Sequence, residues 1–217
     1  MMHIIAHARV WLAKAWLPVV LLALSGCAVL PESETLTFYR LPAPDTAVSE
    51  QADNRAPVSA VVLRIATPYG NRAVDSTRIL VVPEPERISA YKGARWSDTA
   101  PVLLRDRLIE SFRASGKFRS VVTDSGNLGA DLELSGDLSR FHVVYRAGAP
   151  VVTVSFDATL SESSSSRILA SRRFDVEQPV HGKEVPEVVQ AFGAAVDDLS
   201  ARLLVWAEEQ SRTQANG

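Results

Sequence analysis

Cys27 is the only thiol in the 217-residue sequence, so this chain can build neither an intramolecular disulfide nor a thiolate metal cage. Its surroundings are more informative than its solitude. It follows Leu24-Ser25-Gly26 and lies in an uncharged run from Ala15 to Leu30. The other candidates for chemistry are weaker. Beyond the first thirty residues only His142 and His181 carry imidazoles, and neither has a second histidine or cysteine at ligand spacing, which argues against a metal site. Ser163 to Ser166 lacks the Gly-x-Ser-x-Gly elbow of a nucleophilic serine and reads as a solvated turn. Gly126-Asn127-Leu128-Gly129 reads as a turn without the spacing of a phosphate loop. Asp197-Asp198 and Glu208-Glu209 read as the polar side of a helix. The expectation is a protein that is not an enzyme and holds no metal and no bound cofactor.

The first thirty residues carry a different chemistry. His3, His7, Arg9 and Lys14 make a weakly basic start without acids, followed by an apolar heart of Leu17, Val19, Val20, Leu21, Leu22 and Leu24. A membrane-spanning helix needs roughly 20 apolar residues. This run is shorter and contains Pro18, which suits the hydrophobic part of an export signal. Ser25, Gly26 and Cys27 complete an order that resembles the lipobox of bacterial lipoproteins. The resemblance implies cleavage before Cys27, a diacylglyceryl group on its sulfur and an N-acyl chain on its new amine. Two or three acyl chains anchor stably where one does not, at about 0.8 kcal/mol per buried methylene. Ala28 follows the cysteine where an Asp would favour inner-membrane retention in enteric-type sorting, so the outer membrane is expected.

Residues 1–26 are thus expected to be a cleaved signal peptide, 27–35 the lipidated cysteine with a short tether, and 36–217 a single periplasmic domain. The roughly eight residues from Ala28 to Thr35 reach no more than about 30 Å, so the domain must stay close to its membrane. Without the leader's Arg9 and Lys14, the overall charge of −2 becomes −4. A mildly acidic domain has no footprint for nucleic acid, and its net charge argues against electrostatic binding to anionic lipid.

The elements that would build this domain can be read along the chain. Leu36, Phe38 and Tyr39 predict a strand, and Asp45 to Pro57 a polar loop. Val58 to Ala66 and Arg78 to Val82 predict strands, the second stopped by Pro83, with Arg87 to Tyr91 its hairpin partner. Ser97 and Asp98 are candidate caps of a helix with Pro101 in its first turn, apolar Leu104, Leu108 and Phe112, and Gly116 past its end. Leu132, Leu134 and Leu138 share one parity and Phe141, Val143 and Tyr145 the other, which requires a bulge near Ser139-Arg140, with Gly136 easing the bend. Val152 to Leu160 and Ile168 to Val176 alternate cleanly, joined by a turn over Ser161 to Ser166. Val185 to Glu209 carries one apolar stripe and predicts a long helix. The fold class is α+β: a largely antiparallel sheet with two main helices packed on it.

Several segments in order resemble the ABC-type transport auxiliary lipoprotein family, whose members include the PqiC-like lipoproteins. They are Phe38-Tyr39-Arg40-Leu41-Pro42 soon after the cysteine, Val61 to Ala66 with Pro68-Tyr69, Arg78-Ile79-Leu80-Val81, Tyr91, Arg95-Trp96-Ser97-Asp98, Ala191-Phe192, and a helix end of Leu204-Val205-Trp206. The resemblance implies an accessory subunit that works beside MCE-domain proteins and ABC transporter subunits, moving phospholipid or other hydrophobic molecules between membranes. It also implies docking at the periplasmic face of the outer membrane and a possible homo-oligomeric ring. Tyr91, Arg95 and Trp96 are the candidate partner-interface residues, because Trp and Arg are favoured at interface centres, while a Trp at a helix start is more often a core or capping contact. The alternative is an envelope assembly or structural lipoprotein unrelated to MCE transport; a periplasmic hydrolase would need a nucleophile motif that the sequence lacks.

Overall fold

The computed structural model describes residues 35–43, 59–126 and 128–215. Cys27, its leader and the loop expected over Asp45 to Pro57 lie outside the described residues. In chain order the elements are β1 (Thr37–Tyr39), β2 (Val62–Ile65), β3 (Tyr69–Gly70), β4 (Arg78–Glu84), β5 (Arg87–Trp96), α1 (Ala100–Ser115), β6 (Ser120–Thr123), β7 (Leu132–Arg146), β8 (Ala149–Glu162), β9 (Ile168–Pro179) and α2 (Val185–Ala215).

The three long alternating segments form an antiparallel meander, β7-β8-β9. The opposite edge of β7 is shared by three shorter strands. Leu132 to Leu134 pair with β2, Asp137 and Leu138 with β3, and His142 to Val144 with β4, all in parallel. From there the sheet forks. One branch continues from β2 to β6, and the other from β4 through antiparallel β5 to parallel β1. The α+β class, the dominant antiparallel pairing and the two helices agree with the sequence reading. Tyr69-Gly70, within Pro68-Tyr69-Gly70-Asn71, adds a short strand, β3, that no residue pattern predicted.

The bulge in β7 falls where the parity argument requires it. Leu138 pairs with Phe156 and Arg140 with Ser155, leaving Ser139 extra. Before it Leu132, Leu134 and Leu138 face the core; after it Phe141 and Val143 do. Gly136 has φ +153°, and a Cβ there would lie 2.2 Å from the Asp157 carbonyl oxygen and 2.9 Å from the Phe156 ring. Only glycine lets β7 approach β8 this closely.

Two boundaries differ from expectation. β4 runs through Pro83 to Glu84, because pairing to β7 ends at Val82 and the register with β5 shifts between Val81 and Glu84, so no ladder bond is asked of the proline. β5 continues well past Tyr91. A positive φ of 68° at Gly93 shifts its register, and the strand then runs to Trp96 beside β1.

Helix α1 begins with Thr99 at its N-cap position, one residue beyond the expected caps; the Asp98 carboxylate accepts the Thr99 N–H at 2.7 Å. Gly116 ends it with φ 62°, its N–H donating to the Arg113 carbonyl. At the start of α2 the Glu187 carboxylate accepts the Glu184 N–H at 2.7 Å, half of a capping box. Helix α2 packs on the meander and α1 on the β2-β6 branch, and the two helices touch each other. The core lies between helices and sheet, and no described helix is long and apolar enough to cross a membrane.

Gly136→Ala is expected to lower unfolding free energy by about 3 kcal/mol, from backbone overlap and a disfavoured φ together. Urea denaturation would show this as a lowered midpoint; an unchanged midpoint would mean that β7 and β8 are not so closely apposed.

Candidate functional site

The three residues expected at a partner interface do not form one surface. Trp96 has no exposed area. Its ring meets Phe192 of α2 edge-on at 5.2 Å and Phe141 of β7 at 6.0 Å, while Phe141 and Phe192 stack at 4.7 Å. Trp96 is therefore a core residue that joins strand, strand and helix, and its role as a contact residue is corrected. The reason is local: β5 extends to Trp96, so even-numbered residues after Gly93 point under the helices. Tyr91 and Arg95 are half-buried and lie on opposite faces of the sheet. Tyr91 packs against the core on the helix side. Burial, with Tyr145 beside it, pushes its hydroxyl up to about 12. Arg95 alternates with Trp96 onto the helix-free face, its guanidinium donating to the Ala94 carbonyl at 2.7 Å.

Polar contacts that the sequence did not announce tie the helices in place. Arg107 of α1 is 4% exposed and lies 3.4 Å from the Asp197 carboxylate of α2 and 3.7 Å from Glu110. Asp197, read as part of a solvated face, is instead the partner of a buried cation, whereas Asp198 does face outward and pairs with Arg202 at 2.6 Å. Glu208 is likewise mostly covered, with Lys117 at 3.4 Å. An open crevice beside α1 is lined by Arg105, Asp106, Ile109, Glu110, Arg113 and Thr123. Arg105 is occupied there by Asp106, Asp124 and Thr67. Burial alone would raise the Asp124 carboxyl, but hydrogen bonds from Thr67 and Thr123 and the charge of Arg105 hold it below its usual range. The crevice is a structural joint.

The residues weighed for catalysis stay apart. Ser165 donates to Glu162 within the β8–β9 turn, and Arg167 also approaches Glu162. His142 sits in β7 between Leu80 of β4 and Thr153 of β8, while His181 lies exposed in the loop before α2. Among the described residues no group of three or more His, Cys, Asp or Glu side chains could hold a metal ion.

A forked sheet carrying two helices on one side can now be set against known proteins. The sequence profile of the ABC-type transport auxiliary lipoprotein component matches residues 39–203, from β1 well into α2. The chain belongs to this family. The crystal structure of XCC0632 from Xanthomonas campestris shares the fold with a TM-score of 0.71 and 28% identity, covering 83% of this chain and 100% of that one. The structure of CT253 from Chlamydia trachomatis is similar in fold alone, with a TM-score of 0.51 and 8% identity over 69% of this chain and 96% of that one. The protein bll6063 of Bradyrhizobium diazoefficiens is 24% identical over 169 residues, 70% of this chain and 46% of that protein. The chain thus spans about half the length of that relative. The family is described as an auxiliary lipoprotein component of ABC-type transport.

Burial, and then the charge of Arg140, lowers the His142 pKa below its ordinary 6.5. The folded state therefore favours neutral imidazole, and the unfolded chain takes up the proton first as pH falls. Unfolding free energy should decline as pH drops from 7 through 6.5, and His142→Gln should flatten that part of the profile. Chemical denaturation between pH 7 and 5, above the main carboxylate range, measures it; identical slopes would refute the assignment.

Proposed function

We propose that this protein is a lipid-anchored, non-enzymatic subunit of an MCE-type ABC transport system, held through Cys27 at the periplasmic face of the outer membrane, where it docks the conduit that carries phospholipid or other hydrophobic molecules. The observation that carries the reading is a family match over residues 39–203 downstream of Leu24-Ser25-Gly26-Cys27. Two features support it. The sheet and both helices enclose one connected core, a rigid body suited to docking. The short tether keeps the domain beside one membrane, so a partner has to bridge to the other. Of the expected interface residues, Tyr91 and Arg95 retain surface, on different faces.

The anchor and the partner are tested separately. Cys27→Ala should abolish labelling by radioactive palmitate and release the domain from membranes; undiminished labelling would exclude lipidation at this sulfur. Affinity capture of the native lipoprotein from envelope extracts should recover an MCE-domain protein with ABC transporter subunits. Recovery of outer-membrane assembly machinery without any MCE protein would replace this reading by an envelope assembly role.

A further inference from the structure

The helix-free face of the sheet is divided by charge. Toward β8 and β9 its carboxylates are matched: Asp157 and Asp175 engage Arg173, and Glu177 engages Arg146. The Ser155 hydroxyl donates to Asp175 at 2.5 Å, and this bond before all else holds the Asp175 carboxyl below its usual range. Toward β1 the pattern reverses. Arg78 of β4 stands directly opposite Arg95 of β5, and Arg95 directly opposite Phe38 of β1, so the three side chains form one row across three strands. Like charges facing each other across a ladder are destabilising. Neither arginine makes an ion pair among the described residues; the Arg95 guanidinium donates to the Ala94 carbonyl and the Arg78 backbone N–H to the Ser76 hydroxyl. Phe38 is 64% exposed and Leu36, two residues earlier on the same strand side, 46% exposed.

The geometry points to this row as a contact for anionic lipid headgroups, with Phe38 and Leu36 entering the interfacial layer while Arg78 and Arg95 hold phosphate oxygens. Guanidinium matches phosphate with paired donors. An aromatic and an aliphatic side chain beside cations is the composition of a surface that lies in a bilayer interface. The position of β1 in the chain selects a membrane over other anions. Phe38 is eleven residues from Cys27, so an acylated sulfur holds the row within about 40 Å of the bilayer. The net negative charge of the domain does not oppose this. The acidic side chains of β9 stand four strand spacings from β5, roughly 19 Å, and charges beyond about 8 Å are largely screened at physiological ionic strength. Local charge governs.

This inference rests on the anchor at Cys27, and its test separates the two. With Cys27 acylated, Phe38→Cys supplies the sole free thiol for a nitroxide label. The labelled lipoprotein is reconstituted in phosphatidylcholine vesicles with and without phosphatidylglycerol. Flotation reports the anchor and should be equal in both. Collisional accessibility to oxygen over a water-soluble nickel chelate reports the depth of position 38. It should rise several-fold in the anionic vesicles and return to the phosphatidylcholine value in the Arg78→Gln, Arg95→Gln double variant, whose circular dichroism confirms folding. Failure to float would overturn the anchor. A label that floats yet stays in water on anionic vesicles would overturn the headgroup contact, and its protection by an acidic envelope protein would reassign the row to a protein partner.

Discussion

One strand carries the architecture. β7 has to present Leu132, Leu134 and Leu138 and then Phe141 and Val143 to a single core, although side chains alternate with period two. The extra Ser139 resolves this by shifting the phase. Every other part of the sheet is attached to that strand, the meander along one edge and β2, β3 and β4 in succession along the other. Without the bulge, half of β7 would turn apolar side chains toward the helix-free face, and either the β2 branch or the β4 branch would lose its core. The close approach at Gly136, next to the bulge, belongs to the same solution.

The helices complete the core from one side, and they are held by two kinds of contact. Phe192 of α2 enters an aromatic cluster with Trp96 and Phe141, which bridges the β4-β5 branch and the central strand. Phe174 of β9 meets Trp206 further along α2 at 5.7 Å. These contacts supply area. Arg107 with Asp197 supplies position: a nearly buried guanidinium is tolerable only where a carboxylate stands beside it, which favours one placement of α1 against α2. Breaking such a pair from one side strands a charge, whereas the aromatic contacts can shift slightly at little cost.

Much of this was legible from residue patterns, and the exceptions share a cause. Period-two alternation placed β7, β8 and β9, the parity conflict located the bulge, and Gly116 closed α1 as its type implies. β3 was not legible, because two residues cannot show a period; Tyr69 and Gly70 become a strand only because β7 has a free edge there. The buried Arg107 was equally hidden, since an arginine on a helix reads as solvated until the second helix is in place. Trp96 illustrates the same limit. Its residue type made it an interface candidate, but the phase shift at Gly93 turns it inward. Local signals report local geometry, while burial is decided by what packs on top.

That distinction bears on where function can sit. On the helix side the inward positions form one connected core with members from Leu63 to Ala207, and Arg107 with Asp197 and Lys117 with Glu208 pair at its margin. A side chain recruited there for chemistry would have to leave a packing role, as Trp96 would. The helix-free face has sparser burial, at Leu80, Thr153 and Ser155. Its polar and charged side chains stand on a rigid sheet, with matched ion pairs toward β9 and unmatched arginines toward β1. A fold arranged this way keeps its interior for stability and leaves recognition to one sheet face and its edges.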